Sequence, residues 1–482
     1  MMKKIFTTAI NAAFLSVMLT LCSFAQFSED ALRLSFPGLG VGARSLGLGT
    51  AYTGVADDFT AAQWNPAGLA QMRMNEISLG FSHLSYGNTS TFFNASQSIT
   101  NSSTSLNSLG LVYSVPTVRG SFVIGVGYGR QSDFTTGLSF RGFNPSSSII
   151  QSWAPDGVTT DDPRGNLAYE LYLANADSLS PMSYRWDSKI KNNVTQSGTV
   201  LEGGGLNHWS VSGAIEAARN FFIGATLNFI SGSYAYSRQY YEDDLRNFYD
   251  STSFPFDLKT FSLQENIESD LSGFTMKLGM LYRFERNSRL GIAVKTPSWV
   301  TVRETFSQSG MSEFDDGDHF EYTTFDRELN EYDVRTPFIF SAGLSYAIQD
   351  LMLSGDVEYA DWTQMEFRNA DTRLLSFNTL IKEIFQPTVN VRVGAEYGLH
   401  DAGVRLRGGF AYLPSPYEGD PSSFARKYIT GGIGFIVENA IAVDAAYAHG
   451  FWDTFRVNYN ETSKTNERVK TNNIIATVSY RF

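Results

Sequence analysis

The sequence predicts an all-β fold: a transmembrane antiparallel β-barrel of about 14 strands with an N-terminal plug in its lumen. From residue 76 onward, apolar and polar residues alternate in short runs, so each run has one apolar face. The connections between runs alternate between very short and very long, as they do in outer-membrane barrels. Aromatic residues make up 14% of the chain, which suits the aromatic girdles of such barrels.

Residues 1–25 are predicted to be a secretory signal peptide. Lys3 and Lys4 precede an apolar stretch at 9–21, and Ser23-Phe24-Ala25 forms a small-residue cleavage site. The only cysteine, Cys22, lies in this segment, so we expect neither disulfides nor thiol catalysis in the mature chain. No later stretch reaches the roughly 18 consecutive apolar residues of a spanning helix.

Residues 26–75 are predicted to form a hatch, a plug folded into the lumen. The segment contains several glycines and lacks the alternation of a spanning strand. A barrel of this size is too wide for its own side chains to fill, so either something plugs it or it conducts. Residues 76–482 are then one barrel domain rather than several soluble domains.

The last strand shows the alternation most clearly. One face carries Ile474, Ala476, Val478, Tyr480 and Phe482, and the other face is mostly polar. The predicted strands are 76–86, 106–115, 120–132, 207–217, 221–238, 271–284, 289–305, 334–347, 351–366, 387–398, 404–413, 426–437, 441–452 and 469–482.

The predicted connections suggest how the barrel is oriented. The long ones are 133–206, 239–270, 306–333, 367–386, 414–425 and 453–468. Short turns are periplasmic in outer-membrane barrels, so the long loops should face outward. They are acidic, and the net charge of −12 argues against a nucleic-acid partner.

The N-terminal segment resembles a known family. Gly42-Ala43-Arg44-Ser45-Leu46-Gly47, Ala56-Asp57-Asp58 and Trp64-Asn65-Pro66-Ala67-Gly68-Leu69 are similar to the hatch of the FadL/TodX (OMPP1) family of outer-membrane hydrophobic-compound transporters. The resemblance implies an outer-membrane location in a Gram-negative envelope and passive uptake of hydrophobic small molecules, such as long-chain fatty acids or hydrocarbons. Because Pro66 restricts Asn65 to an extended conformation, we also expect Asn65, Pro66 and Ala67 to set the position of the hatch.

A related group begins in the same way, so a second function stays open. PorV-like barrels of type IX secretion also carry Gly-Ala-Arg-Ser-Leu-Gly and Trp-Asn-Pro-Ala patterns, and they assist protein secretion. A transporter should hold an enclosed apolar pocket beneath its outer loops, ending at the hatch. A barrel that escorts secreted proteins should instead present a broad exposed loop surface.

Charged residues are predicted to face the lumen, among them Arg392, Glu396, Arg405 and Arg407 on neighbouring strands. They could form a paired network that holds the plug, as charges in barrel interiors commonly do. Alternatively, Arg392, Arg405 or Arg407 could bind a ligand carboxylate, because guanidinium groups fit carboxylates. The sequence leaves both alternatives open.

Gly125, Gly127 and Gly129 are concentrated in the third strand. They could serve barrel curvature or close packing. In FadL-like proteins a kink in this strand opens the wall sideways, so the resemblance makes these glycines candidates for a lateral exit.

The remaining motifs predict no further chemistry. The five histidines are scattered singly, no serine–histidine pair is indicated, and we expect no enzyme, no metal and no cofactor. Expected partners are a hydrophobic ligand, outer-membrane lipids and lipopolysaccharide. The barrel-assembly machinery should recognise the C-terminal aromatic residue, and the protein should be a monomer.

Overall fold

The wall of the molecule is a closed antiparallel sheet of 14 strands, as the alternation predicts. The computed structural model describes residues 26–250, 257–284, 287–438 and 440–482. The predicted signal peptide therefore lies outside the described residues. Each strand pairs with its neighbour in sequence, and β1 (Glu76–Phe92) also pairs with β14 (Lys464–Arg481). This last pairing closes the barrel.

Four strands, β3, β7, β8 and β9, consist of two segments each. Besides β1 and β14, the strands are β2 (Ala95–Val115), β3 (Phe122–Asp133 and Thr136–Asn144), β4 (Val194–Ala218), β5 (Phe221–Asp243), β6 (Leu258–Phe284), β7 (Ser288–Lys295 and Trp299–Phe314), β8 (His319–Arg335 and Ile339–Ile348), β9 (Leu351–Asp361 and Glu366–Arg368), β10 (Pro387–Leu399), β11 (Val404–Leu413), β12 (Arg426–Val437) and β13 (Ile441–Val457).

Outward-facing side chains form an apolar band around the barrel. On β14, Ile474, Val478 and Tyr480 are about half exposed, at 48%, 49% and 49%, whereas the inward-facing Ile475 is fully buried. The neighbouring Thr477 and Ser479 also face inward. Apolar-out and polar-in is the arrangement that lipid around the barrel requires.

The strands continue beyond this band at the end where the long connections lie. β4, β5 and β6 have 25, 23 and 27 residues, whereas a membrane crossing takes about 9–11. The predicted loops at 239–270 and 306–333 are therefore wrong in large part, because most of these residues are in strands. Outside the lipid, a strand requires only that its backbone groups are paired. Polar and apolar side chains there do not alternate regularly, so the sequence lacks the period of two that identifies a strand.

Connections at the long-loop end fold over the mouth of the barrel. Between β3 and β4, helices α4 (Ile150–Trp153) and α5 (Leu167–Glu170) and a three-stranded sheet pack on the extended strands through a shared apolar core. Between β9 and β10, helix α6 (Thr372–Ile384) follows an Asp371 cap, whose carboxylate accepts the amide of Leu374. Within the described ranges, the search found no helix with the length and hydropathy needed to traverse a bilayer.

The C-terminus is tied to the start of the barrel. Phe482 and Asn75 exchange two backbone hydrogen bonds of 3.1 Å, and the Phe482 ring stacks on Tyr480 at 5.6 Å. The aromatic end therefore lies at the β1–β14 seam, where the sheet closes.

We predict that deleting Phe482 lowers the amount of folded barrel in the outer membrane. The deletion removes both backbone hydrogen bonds at the seam and the aromatic end that the assembly machinery should recognise. Heat-modifiable mobility on a gel measures folded barrel, and an unchanged folded yield would contradict the prediction.

Candidate functional site

The hatch, residues 26–75, lies inside the barrel and contacts inward faces on opposite sides. It contains α1 (Gln26–Ser35), α2 (Ala43–Gly47), α3 (Ala61–Trp64) and a 3-10 helix (Pro66–Gln71). The amide of Gly42 donates to Asn107 on β2 at 2.9 Å. Across the lumen, the carboxylate of Asp356 on β9 accepts the amides of Tyr52 and Thr53 at 2.8 and 2.7 Å.

Asn65, Pro66 and Ala67 lie where the hatch meets β5 and β6. The buried Asn65 amide donates to the carbonyl oxygens of Thr53 and Met280, at 2.9 and 3.0 Å. Its side-chain oxygen accepts the amide of Ala67 at 3.2 Å and so begins the 3-10 helix at Pro66. One side chain thus joins two parts of the hatch to the wall.

Glycines of the wall allow the hatch backbone to approach the strands closely. A Cβ added at Gly279 on β6 would lie 2.1 Å from the side-chain oxygen of Asn65. A Cβ at Gly224 on β5 would lie 2.5 Å from the carbonyl carbon of Pro66. Real side chains do not tolerate such distances, so these strands need glycine where the hatch packs.

Gly125, Gly127 and Gly129 also face the lumen and the hatch. A Cβ at Gly127 would lie 2.3 Å from both the Phe59 ring and the carbonyl oxygen of Leu109. Gly129 faces Val41, and Gly125 faces Leu69. In this structure the three glycines make room for the hatch, and their part in a lateral exit stays a prediction.

Arg44 links the hatch to the opposite wall. Its guanidinium group bonds both carboxylate oxygens of Glu396 on β10, at 2.9 and 3.0 Å, and also contacts Asp57. Glu396 also accepts from Arg407 at 2.7 Å, and Arg407 reaches Asp444 at 2.5 Å. Hatch and wall therefore share one chain of alternating charges.

Asp57 is held in its ionised form within the hatch. Burial disfavours its charge, but the guanidinium groups of Arg44 and Arg289 outweigh burial and hold the pKa of Asp57 well below its usual range. The Arg289 contact is 3.0 Å long. Asp57 thus joins the hatch to β7 through Arg289, while its hatch partner Arg44 joins it to β10 through Glu396.

The predicted lumen charges are brought together only in part. Arg405 lies 3.9 Å from Glu396 and is more than one-third exposed, whereas Arg407 is buried beside the same carboxylate. Arg392 is separate from this group and pairs with Glu358 on β9 at 2.7 Å. Each of the three arginines has a carboxylate within 4 Å, so a ligand carboxylate would have to compete with these.

Towards the long loops, beside helix α1 of the hatch, lies a cavity of 640 Å³ that we call the outer chamber. Its apolar lining comes mainly from the extended strands and the covering loops: Trp153, Val200, Tyr236, Leu263, Phe306, Phe325, Tyr332 and Phe455. Arg33 of helix α1 also lines it, contacts Asp30 and lies 3.9 Å from Glu202. Burial is the main cause that raises the pKa of Asp30, to about 7.

A second cavity of 880 Å³, the inner chamber, lies on the other side of helix α1. It extends from Glu29 and Phe36 of the hatch to Trp452 on β13 and to residues 130–136 of β3. Both chambers are lined by Glu29, Arg33, Glu202, Phe455 and Arg456. Helix α1 is therefore the partition between two adjoining spaces.

The inner chamber reaches the wall where the β2–β3 ladder ends. That ladder runs from Val115–Phe122 to Ser108–Gly129. The second segment of β3 pairs with β4, and no ladder joins it to residues 95–107 of β2 among the described residues. Side chains bridge this interruption, such as Ser103 to Asp133 at 2.8 Å and Asn101 to the Thr136 carbonyl at 2.8 Å.

The sequence missed the composition of this lumen. An enclosed apolar pocket was expected for a transporter, but the chambers combine aromatic rings with many charged groups. Those charges lie on outer parts of strands and in loops where no alternation marks an inward face. The ion pair of Arg44 with Glu396 also went unpredicted, because the two residues lie 352 positions apart.

Comparison with known proteins gives one family. The sequence profile of "Outer membrane protein transport protein (OMPP1/FadL/TodX)" matches residues 182–482, more than half of the chain. A search of curated protein sequences gave no significant match.

Solved structures with the same fold have low sequence identity. The Pseudomonas putida toluene transporter TodX is 14% identical with a TM-score of 0.54, over 92% of this chain and 99% of that one. A Pseudomonas aeruginosa FadL homologue is 13% identical with a TM-score of 0.54, over 93% and 99%. These likenesses support the barrel fold.

We predict that Gly279→Ala raises passive leakage of small solutes, because the new methyl group displaces Asn65 and loosens the hatch. Gly213→Ala is the matched control, since a Cβ there meets nothing within 4 Å. Conductance in planar bilayers measures leakage. Equal conductance of the two variants would contradict the prediction.

We also predict leakage when Pro66 is replaced by Gly. Pro66 restricts Asn65 to an extended conformation, and Asn65 has φ −150° and ψ 100°. Releasing this restriction should weaken both Asn65 contacts and increase conductance several-fold. A conductance identical to that of the parent protein would exclude this role of Pro66.

Proposed function

Because the chain belongs to the outer membrane protein transport family OMPP1/FadL/TodX, we propose that it mediates passive uptake of hydrophobic small molecules by lateral exit through the barrel wall. Members of this family are outer-membrane transporters of hydrophobic compounds, and this general function holds for the chain. The proposal concerns the substrates, such as long-chain fatty acids or hydrocarbons, and the route they take. The family match supports transport over an escort role in protein secretion.

The proposed route begins at the long-loop end. A ligand enters the outer chamber, passes helix α1 at the five shared lining residues, and reaches the inner chamber. Below the inner chamber the hatch is joined to the wall by Arg44, Asn65 and Asp356. A ligand that followed an axial path would have to break these contacts, whereas a ligand that left through the wall would not.

The observation that carries the proposal is the end of the β2–β3 ladder at Ser108–Gly129. Just beside it, the rings of Tyr128 and Trp209 contact edge to face at 5.2 Å, and Trp209 is 53% exposed. Such aromatic residues mark a membrane interface. A ligand leaving here would enter the outer part of the lipid layer, and apolar surface favours that transfer over water.

A bulky residue at Gly127 or Gly129 would block uptake if these glycines form the exit. Since a side chain at Gly127 would also collide with Phe59 of the hatch, that variant would block the exit and displace the hatch at the same time. A reversible bridge across the interruption separates them, because it leaves every hatch residue in place.

We predict that a Ser103→Cys/Asp133→Cys pair, bridged by a short bis-methanethiosulfonate reagent, loses uptake of a hydrophobic substrate. Reduction should restore the rate in the same sample. Thr89→Cys/Ser98→Cys is the matched control, because it bridges β1 and β2 where they are already paired, with the two hydroxyl oxygens 3.2 Å apart.

Uptake into lipid vesicles containing the purified protein measures both variants. An unchanged rate after complete bridging of 103 and 133 would refute the lateral route. The mature chain has no cysteine if residues 1–25 are removed, so the reagent would bridge only the introduced pair.

A further inference from the structure

The outer chamber is lined by more carboxyl groups than guanidinium groups. Its lining has four guanidinium groups, from Arg33, Arg238, Arg373 and Arg456. It has eight carboxyl groups, from Glu29, Asp30, Glu202, Glu265, Glu304, Glu328, Glu331 and Asp371.

Three of these arginines are already paired with lining carboxylates. Arg33 contacts Asp30, Arg238 lies 2.8 Å from Glu265, and Arg456 lies 3.0 Å from Glu202. An anionic ligand would have to displace a carboxylate to reach any of these guanidinium groups. The lining therefore favours a neutral or a positively charged ligand.

Glu304 is a buried carboxylate of this lining that forms no ion pair with the described residues. It is 94% buried, and only its Oε2 accepts hydrogen bonds, from Ser269 at 3.3 Å and from Tyr332 at 3.4 Å. Among the described residues, Oε1 of Glu304 accepts no hydrogen bond, and no cationic side chain lies within 4.0 Å of the carboxylate. Glu304 lines the chamber further along β7 than Trp299, beyond the apolar band.

Aromatic rings lie next to this carboxylate. Phe306 is two residues after Glu304 and shares its face of β7. The ring of Phe306 lies 5.4 Å from that of Phe325 on β8, and both line the chamber. An aromatic face attracts a desolvated cation, and a carboxylate beside it supplies the opposite charge.

We propose that the outer chamber binds hydrophobic compounds that carry a protonated amine, with the ammonium group at Glu304 and the apolar body against Phe306 and Phe325. This inference rests on the proposed function, since it names a substrate class for the same route. Asp30 and Glu29 of helix α1 bring two further carboxyl groups to the same chamber, and these two groups belong to the hatch. The cation thus meets both wall and hatch.

The test uses three probes of similar size and different charge: 2-phenylethylammonium, 3-phenylpropionate and ethylbenzene. Binding to the full-length protein in lipid nanodiscs is measured by calorimetry, with empty nanodiscs subtracted. We expect the ammonium probe to bind at least tenfold more tightly than the propionate. Equal affinities, or tighter binding of the propionate, would overturn the proposal.

Glu304→Gln keeps the shape of the side chain and removes its charge. We expect it to weaken ammonium binding about tenfold and to leave ethylbenzene binding unchanged. Glu313→Gln is the control on the same strand, because Glu313 pairs with Lys259 and does not line the chamber. An unchanged ammonium affinity in folded Glu304→Gln would refute the role of Glu304, and the order of the three probes on the parent protein tests the proposal if that variant does not fold.

Vesicle uptake of ethylbenzene separates this inference from the proposed function. Ethylbenzene uptake above that of empty vesicles, together with equal binding of the ammonium and propionate probes, would overturn only the inference. No uptake above that of empty vesicles would instead contradict transport itself.

Discussion

The pairing of β1 with β14 is the constraint on which the rest of the molecule depends. In lipid, each backbone donor and acceptor must be paired within the protein, and a closed ladder is how a sheet meets that requirement. The antiparallel pairing of Glu76–Arg481 through Thr91–Asn466 closes this one. Closure with 14 strands makes a lumen too wide for the wall's own side chains to fill. A hatch and a mixed polar interior are its consequences.

Hatch and wall fit through two kinds of contact. Glycines such as Gly279 and Gly224 remove side chains from the wall where the hatch backbone lies against it. Arg44 then supplies charge across the contact, between Asp57 of the hatch and Glu396 of β10. Steric fit and ion pairing thus act together, and the hatch stays joined to the wall beneath both chambers.

Among the described residues, the ladder between β2 and β3 stops at Ser108–Gly129, beside the inner chamber. There, Asn101 of β2 and Asn88 of β1 donate to backbone carbonyls at residues 136 and 137 in place of a ladder. Such contacts satisfy polar groups while leaving the two backbones free of one another. The outer chamber is lined by more carboxyl groups than guanidinium groups, so the proposed route and the proposed charge preference both rest on one arrangement of strands and loops.

The sequence alone determined the class of fold and the strand number. The alternation on β14 and the spacing of turns are local signals, and they repeat wherever a strand has lipid on one side and the lumen on the other. Asn65-Pro66-Ala67 was likewise visible as a motif, and the structure supplies its contact with Met280.

Only the tertiary structure decided which residues meet inside the barrel. Glu396 lies 352 positions from Arg44, and the outer chamber brings Glu304 of β7 near Asp30 of the N-terminal helix α1. Beyond the apolar band, strands no longer alternate clearly, so neither the extended β4–β6 nor the inward direction of Glu304 could be predicted. Lipid imposes a pattern on the sequence only where side chains contact it, whereas contacts in the lumen depend on how the closed sheet places distant residues.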